Sequence, residues 1–110
     1  MGDRANVQVK TNGKSVFLYT HWKGEELPKI VQHSLLRKQR WDDAQYLARI
    51  IFCEMIGPNE LGGETGYGIS AEVGDGDNRI VIVDTDEQKV RWHKKAASFD
   101  EFVRMTDVSW

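Results

Sequence analysis

Across residues 7–20 apolar and polar side chains alternate on either side of Asn12-Gly13. A period of two marks strands, and Asn-Gly supplies the two positive-φ residues that a type I′ turn demands, so the segment reads as a β-hairpin. The turn also sets the register: pairing Thr11 with Lys14 places Val9 opposite Val16 and Val7 opposite Leu18. These four valines and leucines share one face, while Phe17, Tyr19 and His21 share the other. The first face is core. The second is aromatic too, so it is covered by another layer, covered by a partner, or used.

The period then changes. Leu27, Ile30, Val31, Ser34 and Leu35 make a helical stripe with Pro28 in its first turn, where a missing N–H costs nothing, and Leu36 falls off the stripe. A second helix begins at Asp42 or Asp43, with Asp42 and Gln45 at the spacing of a capping box, and Gly57-Pro58 ends it. Its apolar residues, Leu47, Ala48, Ile50, Ile51, Phe52, Cys53, Met55 and Ile56, wrap most of the circumference. That pattern predicts a helix buried on several sides. Helical spacing puts Glu54 among Leu47, Ile50 and Ile51, where a carboxylate needs a buried arginine or backbone partner, or else opens on a cavity as a functional group.

After a glycine-rich stretch at 59–66, Tyr67, Ile69, Ala71 and Val73 alternate with Gly68, Ser70 and Glu72 as a half-buried strand. Residues 80–83 are an unbroken apolar run, which suits a central strand buried on both faces. Next, Val90 and Trp92 point one way while Lys89, Arg91 and His93 point the other. Ser98 and Glu101 form a capping box for a short last helix docked by Phe99, Phe102 and Val103. The order ββααβββα predicts a single α+β domain over residues 1–110. It is a largely antiparallel sheet of about five strands with two main helices packed on it and a short C-terminal helix.

Composition narrows the function classes. The 110 residues are 40% hydrophobic, enough for one core, and the formal charge of -2 argues against a uniformly basic nucleic-acid binder. The charges are segregated: residues 29–41 carry Lys29, Arg37, Lys38 and Arg40 and no acid, whereas 54–87 hold nine carboxylates against Arg79. Cys53 is the lone cysteine, so no internal disulfide or cysteine-based zinc cluster can form, as fits a reducing cytoplasm. The N-terminus lacks the apolar run of a signal peptide, and no apolar segment approaches the roughly 20 residues of a membrane helix. Cytoplasmic localisation and no membrane partner are expected.

Candidate chemistry gathers at two junctions. In Tyr19-Thr20-His21-Trp22 a strand ends in polar and aromatic tips, and His21 is suited to proton exchange near neutrality, although spacing fixes no partner for it. In Arg40-Trp41-Asp42-Asp43 an arginine fork adjoins an indole, a combination that stacks a flat base and grips an anion, or else seals one end of the core. The loop from Leu61 to Gly68 is glycine-rich but carries Glu64 and precedes a strand, so it is a gate or a plain connection, not a phosphate loop. Asp75, Asp77, Asp84, Asp86 and Glu87 lack the ligand pattern of an EF-hand. No metal and no cofactor are expected.

Taken together, Tyr19-Thr20-His21-Trp22, Arg40-Trp41-Asp42-Asp43 with Tyr46-Leu47-Ala48-Arg49, and the run from Glu64 to Ser70 resemble a small uncharacterised family of prokaryotic and phage proteins. The resemblance implies a phage context and no mechanism; phage proteins of this size often act by binding, including anti-defence proteins that inhibit a host enzyme or sequester its nucleotide signal. The reading that follows is a non-enzymatic homo-oligomeric protein that captures a small anionic nucleotide-like ligand, with Tyr19, His21, Trp22, Arg40, Trp41 and Arg91 lining the site. Two alternatives stand beside it. One is a protein-protein inhibitor using exposed apolar residues such as Leu36 and Trp110, and the other is a small hydrolase or nuclease using His21 with Glu54 or Asp42.

Overall fold

Asn12 at φ 50° and Gly13 at φ 75° make the expected tight turn in a computed structural model that describes residues 2–57, 66–74 and 79–110. On either side run β1 (Ala5–Thr11) and β2 (Lys14–Thr20), paired Thr11 to Lys14, Val9 to Val16 and Val7 to Leu18 as the turn dictates. The chain continues through α1 (Leu27–Leu36), α2 (Ala44–Ile56), β3 (Tyr67–Ser70), β4 (Ile80–Asp84), β5 (Lys89–Trp92), β6 (Lys95–Ser98) and α3 (Phe99–Arg104). The fold is α+β, with six strands among the described residues in the order β3-β2-β1-β4-β5-β6. Every pairing is antiparallel except that of β1 with β4.

All three helices bury their apolar sides on one face of this sheet. There Val7, Val9, Leu18, Val81, Val83, Val90 and Trp92 meet Leu27, Val31 and Leu35 of α1, Leu47, Ile51 and Met55 of α2, and Phe99 and Phe102 of α3. Each such side chain contributes roughly 1.5–3 kcal/mol by leaving water, so this cluster dominates stability. Pro28 stands in the first turn of α1 and Leu36 is exposed, as the stripe predicts. The last helix has its full capping box, with Ser98 Oγ accepting from Glu101 N–H and the Glu101 carboxylate accepting from Ser98 N–H.

Four expectations are corrected. The cap of α2 is Asp43, whose Oδ1 accepts from Tyr46 N–H, while Asp42 is exposed. β3 stops at Ser70, because the Ser70 hydroxyl takes Glu72 N–H and bends the chain, so Ala71 and Val73 are exposed connection and not strand. β4 is central, but its Ile80 and Ile82 are half-buried on the face away from the helices. Finally, α2 is buried along Leu47, Ile50, Ile51 and Met55 only; Cys53 is exposed, and Ala48 and Phe52 are half-buried. A sixth strand, β6, also goes beyond the expected five.

The face opposite the helices carries Asn6, Gln8 and Lys10 of β1, Phe17 and Tyr19 of β2, Ile80 and Ile82 of β4, and Arg91 of β5. Gly74 lies over this face and exchanges two hydrogen bonds with the Asn6 amide, its N–H at 3.1 Å and its C=O at 3.3 Å. This cover helps to bury Asn6. Farther down the strands, Gln8, Phe17 and Ile82 remain half-buried among the described residues.

Candidate functional site

The polar tips of Tyr19-Thr20-His21-Trp22 are largely occupied by the fold. Thr20 is buried, and its hydroxyl accepts from the N–H groups of Trp22 and Lys23 at 3.3 and 3.0 Å, turning the chain out of β2. His21 N–H donates to Gly66 C=O, and His21 C=O accepts from Asp3 N–H, so this residue ties the N-terminal segment and the start of β3 to the end of β2. Arg4 can only donate, and its Nε lies 3.3 Å from His21 Nδ1, with the Tyr19 hydroxyl 3.1 Å from the same atom. Nδ1 is therefore placed to accept from Arg4. No carboxylate pairs with His21 among the described residues, so the orienting acid that general acid-base catalysis uses is missing from the set.

Trp22 stacks edge-on between His21 and Tyr67 and lies against Gly66, where even a methyl group would approach its ring to 2.6 Å. Lys23 holds Met55 C=O at 2.9 Å, which places a cation at the C-terminal end of α2, where the helix dipole favours it. Among the described residues, the buried Tyr67 hydroxyl has no hydrogen-bond partner.

The six candidate ligand-binding residues divide into four groups. Tyr19, His21 and Trp22 lie together. Trp41 is on the helix face, donating its indole N–H to Leu35 C=O and stacking edge-on against Phe99, which makes it a seal at the end of the core. Arg40 lies over the Tyr46 ring at 4.5 Å and borders a depression with Thr11 and Asp42, at the hairpin end of β1. Thr11 is five residues along β1 from Asn6, the partner of Tyr19, a separation of about 17 Å at the rise of a strand. Arg91 is three strands away from Tyr19 and is engaged by Asp84 at 3.6 Å and Glu87 at 3.3 Å. One cavity lined by all six is not formed.

Glu54 finds the arginine expected of it, Arg37 at 2.7 Å, but the pair is half-exposed between α1 and α2 and not in the core. The carboxylates of the β4–β5 turn are also occupied: Asp84 accepts from the N–H groups of Asp86 and Glu87. Among the described residues no group of three or more His, Cys, Asp or Glu is placed to hold a metal. Asp75, Asp77 and the greater part of the glycine-rich loop lie outside the described residues.

One apolar concavity lies away from all six candidate residues. A groove of about 470 Å³ runs between α2 and the helix-side surface of β2 and β3. Val16, Leu18 and Ile69 form its floor, Ala44, Ala48 and Phe52 its wall, and Lys14, Arg49, Ser15 and Gln45 its rim. Its volume lies within the range of ligand sites, and its lining is apolar with a few polar groups at the margin. A signal was present in the sequence: the surplus apolar residues of α2 wall an open groove where full burial was expected. Among the described residues no helix is long and apolar enough to cross a membrane. No family model, no curated protein and no solved structure matches this chain.

Proposed function

We propose that this chain is a non-enzymatic binding protein whose partner is another protein, held in the groove between α2 and strands β2 and β3. One observation carries the reading. Ile69 is 61% exposed at the edge of a continuous apolar groove with Phe52, Ala48 and Leu18, a surface that apolar side chains of a protein partner can enter. The resemblance to phage proteins would make that partner a host enzyme. Replacing Phe52 with a photo-crosslinking phenylalanine analogue tests the proposal: a discrete adduct from host lysate is expected, lost when Ala48→Trp fills the groove. Equal crosslinking with and without Ala48→Trp would overturn it.

The nucleotide-like ligand remains a second reading because Tyr19, His21 and Arg4 form a polar cluster beside the half-buried Phe17 on the face away from the helices. Aromatic and cationic groups of that kind suit a base and a phosphate. Thermal shift with linear and cyclic nucleotides discriminates it: stabilisation that disappears in Arg4→Ala supports this reading, and no shift at millimolar ligand removes it.

A further inference from the structure

Resting on the groove reading above, we infer that the partner docks as an extended strand along the outer edge of β3, with apolar residues at every second position and carboxylates flanking them. The backbone supplies the first reason. His21 N–H donates to Gly66 C=O, and in an antiparallel ladder the paired residues recur every second position, so Gly68 and Ser70 face β2 while Tyr67 and Ile69 turn their N–H and C=O groups outward. Among the described residues no strand pairs with that side. A partner that covers Ile69 and the groove also covers these backbone groups, and burying them unpaired is unfavourable. A strand brings its own donors and acceptors to the edge; a helix or an acyl chain does not.

Side-chain geometry gives the period. A strand added beside β3 continues the floor of the groove, so alternate side chains rise next to Ile69 toward Phe52 and the intervening ones point to the other face. Charge gives the flanks. The groove lining includes Lys14 and Arg49 and no acid, and neither cation is in an ion pair among the described residues. Of the neighbouring acids, Asp43 accepts from Tyr46 N–H and Asp86 from Thr11 and Asn12, while Asp42 lies in the adjoining depression with Arg40 and outside the groove lining. Two such cations repel a second copy of this same surface and attract a carboxylate-bearing segment.

The test is selection from a displayed library of random peptides against the full chain. Enriched peptides are expected to alternate apolar residues at period two with Asp or Glu beside them. Methylating the backbone nitrogens of a selected peptide that face β3 is expected to weaken binding at least tenfold, roughly the cost of lost hydrogen bonds at a desolvated edge. Arg49→Glu is expected to weaken it severalfold, and the amide of Ile69 to exchange more slowly in the complex. Peptides with helical spacing, or binding indifferent to backbone methylation, would overturn the strand mode while leaving the groove intact. Binding unchanged by Ala48→Trp, or no enrichment at all, would overturn the groove reading as well.

Discussion

The two edges of the sheet are finished differently. At one edge β6 presents Lys95 and Ala96 to solvent, leads directly into the capping box of α3, and is braced by the C-terminal segment: Lys95 Nζ binds the C=O groups of Ser109 and Trp110, and the Trp92 indole binds Ser109 C=O. A short strand with an exposed lysine is a common way of keeping an edge from pairing. At the other edge β3 presents Ile69 beside an apolar groove and carries no charged side chain of its own. Among the described residues, therefore, one edge is guarded by a lysine and the C-terminal segment and the other by neither. The proposed partner strand is assigned to the β3 edge on that contrast.

The largest effect that would sharpen this contrast lies beneath β6. Phe102 is fully buried with its ring 4.9 Å from that of Trp92, so Phe102→Ala should cost about 3–5 kcal/mol in urea unfolding. Ser98→Ala removes the cap that joins β6 to α3 and should cost about 1 kcal/mol in the same experiment. On the same flank of the molecule Arg79 holds Asp3 at 2.7 Å and lies over the Trp110 ring.

The hydrogen bond from Arg79, aided by the N–H of Glu25, keeps the Asp3 carboxyl below its ordinary value of 3.8. A carboxyl with a depressed folded pKa contributes stability above the ordinary value and loses it as pH falls through the folded one. Asp3 is partly exposed, so the effect should be within about 1 kcal/mol; Asp3→Asn should flatten the acid limb of stability against pH below 3.8. The smallest change is expected at the other edge. Ile69→Ser should alter stability by no more than about 0.5 kcal/mol while abolishing partner crosslinking from position 52. A loss of stability at Ile69 as large as at Phe102 would break the comparison, because it would make β3 a sealed part of the core.

Local chemistry made much of the fold legible. Asn12-Gly13 fixes a register, Pro28 and Gly57 bracket helices, and Ser98 with Glu101 forms a box, each through contacts within a few residues. What was illegible depends on distant chain. The parallel match of β1 with β4 leaves no local mark, and the alanines of β6 carry little strand preference. Apolar periodicity says which residues avoid water and not what covers them, so Ala48 and Phe52 read as core although they wall a groove. The six candidate residues do not share one cavity for a related reason: Tyr19, Trp41 and Arg91 have suitable side chains, but the sheet separates them by face and by strand.

The parallel pairing of β1 and β4 also imposes an order of assembly. The hairpin and both long helices are made of early residues, whereas β4, which must lie against the inner side of β1, comes from residues 80–84. Closing so long a loop is slow relative to forming the hairpin. Until β4 arrives, β1 is itself an unpaired edge bearing Val7 and Val9 beside an unfinished core. A nascent chain is thus most prone to wrong strand pairing between the emergence of α2 and that of β4, and a chaperone that shields β1 during that interval should raise the yield of folded protein.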